Sequence, residues 1–347
     1  MKPPIANESG GDKSARQRVP AGRHHLRKLL LVTGIIVLAV VGITVGLTSL
    51  LSPKSHAAQL TCGTNPSACG YPDATNTGVP AGTTLKTVGN GAGQVSSGTG
   101  WSFNSGGWVA VTGNGATLSG LNIPYGVVIS ANNVTLNDDN IVTGGPIAIG
   151  VSLRHTSGVT IQNTTIAGVD SGANRITTGV KDIFSDSTGL TVNHCNISLW
   201  ETGVQVESGL IENNYIHDPG FIAGDHTNGV MSNGGTTPLT ITHNTIFNNR
   251  SQTDDVGLFE DFSAQANRTI TNNLLAGAGY SIYAGNTKPS NGPTSNIVIT
   301  GNVFATNYYP TGGANGPVAY FNSSGQGNVF KNNTWDTTGA TVSAPGT

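Results

Sequence analysis

Acidic side chains are scarce in this chain, so the place where they gather is informative. Of 18 Asp and Glu and eight His in 347 residues, six acids and three histidines fall between His217 and Asp261. Two short phrases stand out there, Gly224-Asp225-His226 and Thr253-Asp254-Asp255. Paired carboxylates suit hydrolysis of a glycosidic bond. One of Asp254 and Asp255 would activate water, Asp225 would protonate the leaving oxygen, and His226 would tune Asp225. The same oxygens equally suit Ca²⁺ held against a uronate, with a base removing the adjacent proton as in a polysaccharide lyase. Arg250 is the only strong base close to them in sequence. In a third reading the acids solvate loops or cap turns, and the protein is a non-catalytic glycan binder. Glu201, His217 and Asp218 extend the candidate rim as substrate contacts. Tyr283 and Tyr320 could stack on sugar rings, because an aromatic face covers apolar ring hydrogens while the hydroxyls stay wet.

The elements that must position these residues come from a repeat. The phrase Leu136-Asn-Asp-Asp139-Asn-Ile141 recurs as Ile161-Gln-Asn-Thr164-Thr-Ile166, Val192-Asn-His-Cys195-Asn-Ile197 and Ile211-Glu-Asn-Asn214-Tyr-Ile216. It recurs again around Asn244, Asn273, Asn302 and Asn333. The first and last columns are apolar, and the fourth is Asn in five of the eight copies. A period of about 28 residues is that of a solenoid. Each copy is β-branched, has no helical spacing, and is too short to bury its own apolar side chains without stacking. The expected fold is therefore all-β, a right-handed parallel β-helix with an asparagine ladder inside. Cys195 falls in the ladder column and reads as a small buried thiol, and His194 and His243 as turn residues just before it. A second strand per coil puts Val180, Val204, Val230, Val256, Ile282 and Ala319 inward. By alternation Lys181, Gln205, Met231, Gly257, Tyr283 and Tyr320 then face outward on one flat sheet.

With that coil pattern, the phrase Cys69-Gly-Tyr-Pro-Asp-Ala-Thr-Asn-Thr-Gly-Val-Pro-Ala-Gly-Thr-Thr-Leu85 resembles the pectate-lyase-like right-handed β-helix superfamily, and more closely its exported bacterial members. The resemblance covers nearly everything after Cys69. It implies the fold and a polysaccharide as partner, although this fold hosts lyases, hydrolases, esterases and inert adhesins alike. Polygalacturonase-like enzymes carry Asn-Thr-Asp, Asp-Asp, Gly-His-Gly and Arg-Ile-Lys motifs. This chain departs from them, since Thr253-Asp254-Asp255 follows Gly224-Asp225-His226 and Arg-Ile-Lys is missing.

Seven of the 16 basic residues lie in the first 28 positions, directly before the uncharged run from Leu29 to Leu51. Residues 1–57 thus read as a basic cytoplasmic tail followed by a signal peptide cleaved after Ala57 or by an uncleaved membrane anchor. In both readings the remainder lies outside the cell, as an N-terminal segment and cap over 58–115 and a β-helix over 116–347. Beyond residue 57 there are eight basic and 16 acidic residues, which disfavours nucleic acid as a partner. Membrane contact is expected only through the N-terminal segment, and the protein is expected to be a monomer. Cys62 and Cys69, seven positions apart, could close a disulfide in an oxidising compartment.

Overall fold

A computed structural model describes residues 61–345; the expected leader or anchor lies outside them. The chain winds through three sheets in turn. The ten-stranded sheet runs from Lys86–Thr87 to Thr334–Trp335 and the eleven-stranded sheet from Ser97–Gly98 to Gly316–Ala319. The nine-stranded sheet runs from Thr117–Ser119 to Val329–Lys331. Strands from successive coils pair in parallel, so the molecule is a parallel β-helix, with the right-handed crossovers that twisted strands favour. Antiparallel pairing enters at the N-terminal end, where Ser97–Gly98, Trp101–Phe103 and Trp108–Val111 fold against one another before the coils begin. One apolar core, from Val88 to Val342, fills the length of the helix.

The repeated phrase forms the corner between the nine- and ten-stranded sheets. Its third column takes the left-handed conformation in all eight copies, from Asp138 (φ 57°) through His194 and His243 (both 51°) to Asn332 (57°). The chain therefore turns one residue before the ladder Asn, and the two histidines serve the turn. In the fourth column each Asn is fully buried. The Asn273 carbonyl accepts from the Asn244 backbone at 2.9 Å and from the Asn244 amide at 3.0 Å. Its own amide donates to Ile241 O and Asn302 Oδ1, both at 2.9 Å. Cys195 sits in this column with its thiol pushed up to about 12 by burial, inert in the way its position predicts.

A strap lies outside these corners. The disulfide-bonded pair Cys62 and Cys69 opens it, and Asp336 of the last coil accepts from the Cys62 and Gly63 backbone at 2.8 and 2.9 Å. The strap then passes His243, which meets Gly70 O at 2.9 Å, and His194, whose carbonyl accepts from Gly78 at 2.8 Å. It joins the ten-stranded sheet at Lys86.

In the eleven-stranded sheet the inward column is Val151, Val180, Val204, Val230, Val256, Ile282 and Val318. The last coil thus corrects the expected register by one residue. Val318 points inward and Ala319 pairs with Tyr283, while Tyr320 lies past the strand end in a left-handed turn (φ 58°).

The ladder yields a test at Asp139. Its fourth-column carboxyl is fully buried, accepts from Leu121 N at 2.8 Å, and leaves Oδ2 without a partner. Burial pushes it up to about 7. Because the folded state holds this proton more tightly than the unfolded chain, its contribution is complete below pH ~4 and is lost as pH rises to ~7. Asp139→Asn is expected to leave urea stability nearly unchanged at low pH and to raise it at pH 8, by at most about 4 kcal/mol.

Candidate functional site on the eleven-stranded sheet

Asp254 and Asp255 belong to the strand Asp254–Leu258 rather than to the loop before it. Asp254 pairs in register with Asn228 on one side and Tyr280 on the other. Its carboxyl lies over Gly257, where an added Cβ would come within 2.5 Å of Asp254 Oδ2 and of the Phe259 ring. Glycine at 257, where the neighbouring coils carry Met231 and Tyr283, makes room for the acid on the outer face. Tyr283 covers the region, tilted against Phe259 at 5.4 Å, edge-on to Tyr280 at 5.6 Å, and stacked on Tyr320 at 5.5 Å and 18°. Next to Tyr320, half exposed, a groove of about 500 Å³ opens between Tyr280, Phe321, Asn286 and Asn322.

Asp254 is fully buried, and neither carboxyl oxygen has a hydrogen-bond partner among the described residues. Burial raises it well above the usual carboxylate range. The same burial, and then the Asp254 carboxyl, push the Tyr283 hydroxyl up.

Asp255 occupies a different environment. In the five preceding coils its position is Gly126, Gly150, Gly179, Gly203 and Gly229. At the last four of these a Cβ would strike the next coil's backbone carbonyl, within 2.6 Å, and a core isoleucine methyl. Asp255 puts a carboxyl where glycine is otherwise required. It is fully buried, near Ser281 and the Asn248 backbone but not in hydrogen-bonding geometry with either. Burial first, then neighbouring Asp254, raise it well above its ordinary range. Two adjacent acids held this way both bind their protons more tightly than an exposed carboxyl does.

Asp225 does not join them. Arg175, 3% exposed, grips it with both arms, Nε to Oδ2 at 2.6 Å and Nη2 to Oδ1 at 2.5 Å. The Ile222 backbone also donates to Oδ2 at 2.7 Å, so no oxygen of Asp225 is free to donate a proton. Glu201 meets the same guanidinium at 2.9 Å. It is half-buried, and burial, then the Asp225 charge, raise it against the pull of Arg175. His226 stands exposed at the end of this loop. His217 ends the strand Tyr215–His217 of the ten-stranded sheet, and Asp218 follows it. There His217 stacks on Tyr215 at 3.8 Å and bridges Asp218 and Asn196, which holds the Asp218 carboxyl below its usual range.

The Ca²⁺ of the lyase reading does not fit this arrangement. Asp225 and Glu201 share one guanidinium, and among the described residues no three His, Cys, Asp or Glu side chains are grouped to hold a metal ion. Sequence reasoning missed Arg175, 50 residues before its partner Asp225. It also missed Tyr280 and Phe259, which complete the aromatic cover; strict alternation puts Tyr280, three residues before Tyr283, on the opposite face, so their contact was not legible in the sequence. No protein-family model and no curated protein matches the chain.

The ion pair predicts its own cost. Arg175→Ala leaves two acids unpaired, one of them buried, and is expected to lower unfolding stability by about 3–5 kcal/mol. Combining it with Asp225→Ala should cost clearly less than the sum of the two single changes in denaturant titrations.

Proposed function

We propose that this protein is an extracellular, polysaccharide-active β-helix protein of the pectate-lyase-like kind. In this reading it holds a neutral glycan on the outer face of the eleven-stranded sheet and hydrolyses it. The observation that carries the reading is Asp254, a buried carboxyl with both oxygens unpartnered and its pKa raised by burial, lying beneath the aromatic run of Phe259, Tyr283 and Tyr320. Buried polar groups without partners are rare, and one beside an aromatic surface is suited to a ligand that supplies the partner. Sugar rings stacking on Tyr283 and Tyr320 would bring a glycosidic oxygen to Asp254. That acid would donate its proton as the C–O bond breaks.

Glu201 is the companion base. It lies two strands earlier, one residue before the position in register with Asp254, roughly 10 Å away by strand spacing. A separation near that size leaves room for water between the carboxyls, as inversion requires. Glu201 would take a proton from this water while its oxygen bonds to the anomeric carbon. The lyase reading is weaker because the one buried strong base near the acids, Arg175, is occupied by Glu201 and Asp225. An extracellular setting is supported by the basic and then apolar N-terminus and by the disulfide between Cys62 and Cys69.

Incubation of the protein with neutral and acidic polysaccharides should release reducing ends from a neutral one, without the ultraviolet absorbance of unsaturated products. Asp254→Asn should lower the rate about 10²–10⁴-fold while preserving binding. Tyr283→Ala should weaken binding by about 0.5–1.5 kcal/mol. Undiminished hydrolysis by Asp254→Asn would remove Asp254 from the mechanism. Saturable binding with no cleavage would leave the glycan-binding reading, and unsaturated products would establish the lyase.

A further inference from the structure

The opposite ends of the same strands carry a second polar site. Loops from four successive coils, between the eleven- and nine-stranded sheets, enclose a pocket of about 220 Å³ lined among others by Asp186, Thr188, Glu207, Ser208, Thr237 and Phe262. A full strand, Asp254–Leu258, separates Asp254 from this corner.

The pocket is held in shape from behind. Arg268 is fully buried and donates to Gly235 O at 2.8 Å, to Gln265 Oε1 at 2.6 Å and to Thr237 O. These bonds fix the loop that forms one wall. Gly234 packs so closely on Ser263 that a Cβ would come within 2.6 Å of its backbone, which brings adjacent loops together. Glu207 is anchored by the Ser232 hydroxyl and by Asn233 N, at 3.0 and 3.1 Å from its two oxygens. On the other wall Asp186 is held by His155 at 2.6 Å, and His155 in turn stacks on Phe184 at 4.1 Å.

One of the most exposed aromatic side chains, Phe262 at 77%, lines this pocket. An exposed phenylalanine beside fixed carboxylates and hydroxyls matches the two sides of a sugar ring, apolar C–H on one face and hydroxyls around the edge. The lining contains two acids and no Lys or Arg, which opposes an anionic ligand. The volume is below the ~300–1,000 Å³ of sites for drug-sized ligands, so it suits one ring rather than a chain.

We propose that this corner pocket binds a single neutral pyranose ring, such as a glycan terminus or side branch. Phe262 covers its C–H face, and Glu207 and Asp186 accept from its hydroxyls. The site is independent of Asp254 and of any hydrolysis.

The test uses methyl β-D-glucopyranoside, methyl β-D-galactopyranoside, methyl α-D-mannopyranoside and the anionic methyl α-D-galactopyranosiduronate as probes. Saturation-transfer and amide-shift NMR on the protein report where each one binds. At least one neutral probe should bind with millimolar affinity and shift the Thr188, Ser208 and Phe262 amides. Phe262→Ala, at a surface position that leaves the fold intact, and Glu207→Gln should each weaken this about tenfold. Tyr283→Ala and Asp254→Asn should leave it unchanged, so failure here and failure of the outer-face reading are separable. Absence of shifts at these amides with every neutral probe, equal binding of the uronide, or full affinity in Phe262→Ala would overturn the proposal.

Discussion

At the corner between the nine- and ten-stranded sheets, each coil turns inside the protein and buries backbone groups that no strand can reach. The ladder residue of the next coil answers this need. From Cys195 to Asn302, each fourth-column backbone N–H donates to the side-chain oxygen of Asn214, Asn244, Asn273, Asn302 or Asn333 one coil later. An unanswered buried N–H would cost about 1–3 kcal/mol at every coil, so the ladder is a condition of stacking and not an ornament to it. It also fixes register, because a slipped coil would place its amide opposite the wrong backbone.

Fixed register turns single residues into columns, and columns make exceptions visible. Five glycines lie in line across successive strands of the eleven-stranded sheet because the next coil's carbonyl leaves no room for a Cβ. Asp255 breaks that line, Asp254 beside it takes the space that Gly257 vacates, and both acids are buried without hydrogen bonds. Packing alone would favour a glycine and a neutral polar residue at these two positions. The chain instead carries two acids whose desolvation is unfavourable, which is the pattern expected where chemistry or binding has set the residue types against stability.

Much of the architecture was legible because it repeats. Apolar columns and Asn at one position reveal the coil, its corner and the inward face, and the stretch from Gly179 to Tyr283 reads correctly by alternation alone. A further copy, Leu118 to Ile123, was harder to see because Gly120 and Leu121 replace the turn and ladder residues, although its strands pair in register with the next coil. The last coil misread by one residue for a similar reason, since Gly316 and Pro317 shift the strand before Val318. The candidate site was legible only in part. Clustering of acids in sequence located Asp225 and Asp254 together, but loop paths decide what each one meets. Arg175, from a loop two coils earlier, claims Asp225, and no local pattern announces that pair. Similarly, the space over Gly257 exists only because three coils carry Met, Gly and Tyr at one register position.

The central claim is that Asp254 is a neutral, unpartnered carboxyl under an aromatic cover. The most direct measurement is an infrared titration of the protein carrying ¹³C-labelled aspartate carboxyls, with Asp254→Asn as the subtraction standard. The account predicts a protonated carboxyl C=O band at pH 7 that disappears in Asp254→Asn and shifts when a glycan ligand is added. A difference spectrum that reports only carboxylate at pH 5 and above, unmoved by ligand, would contradict it.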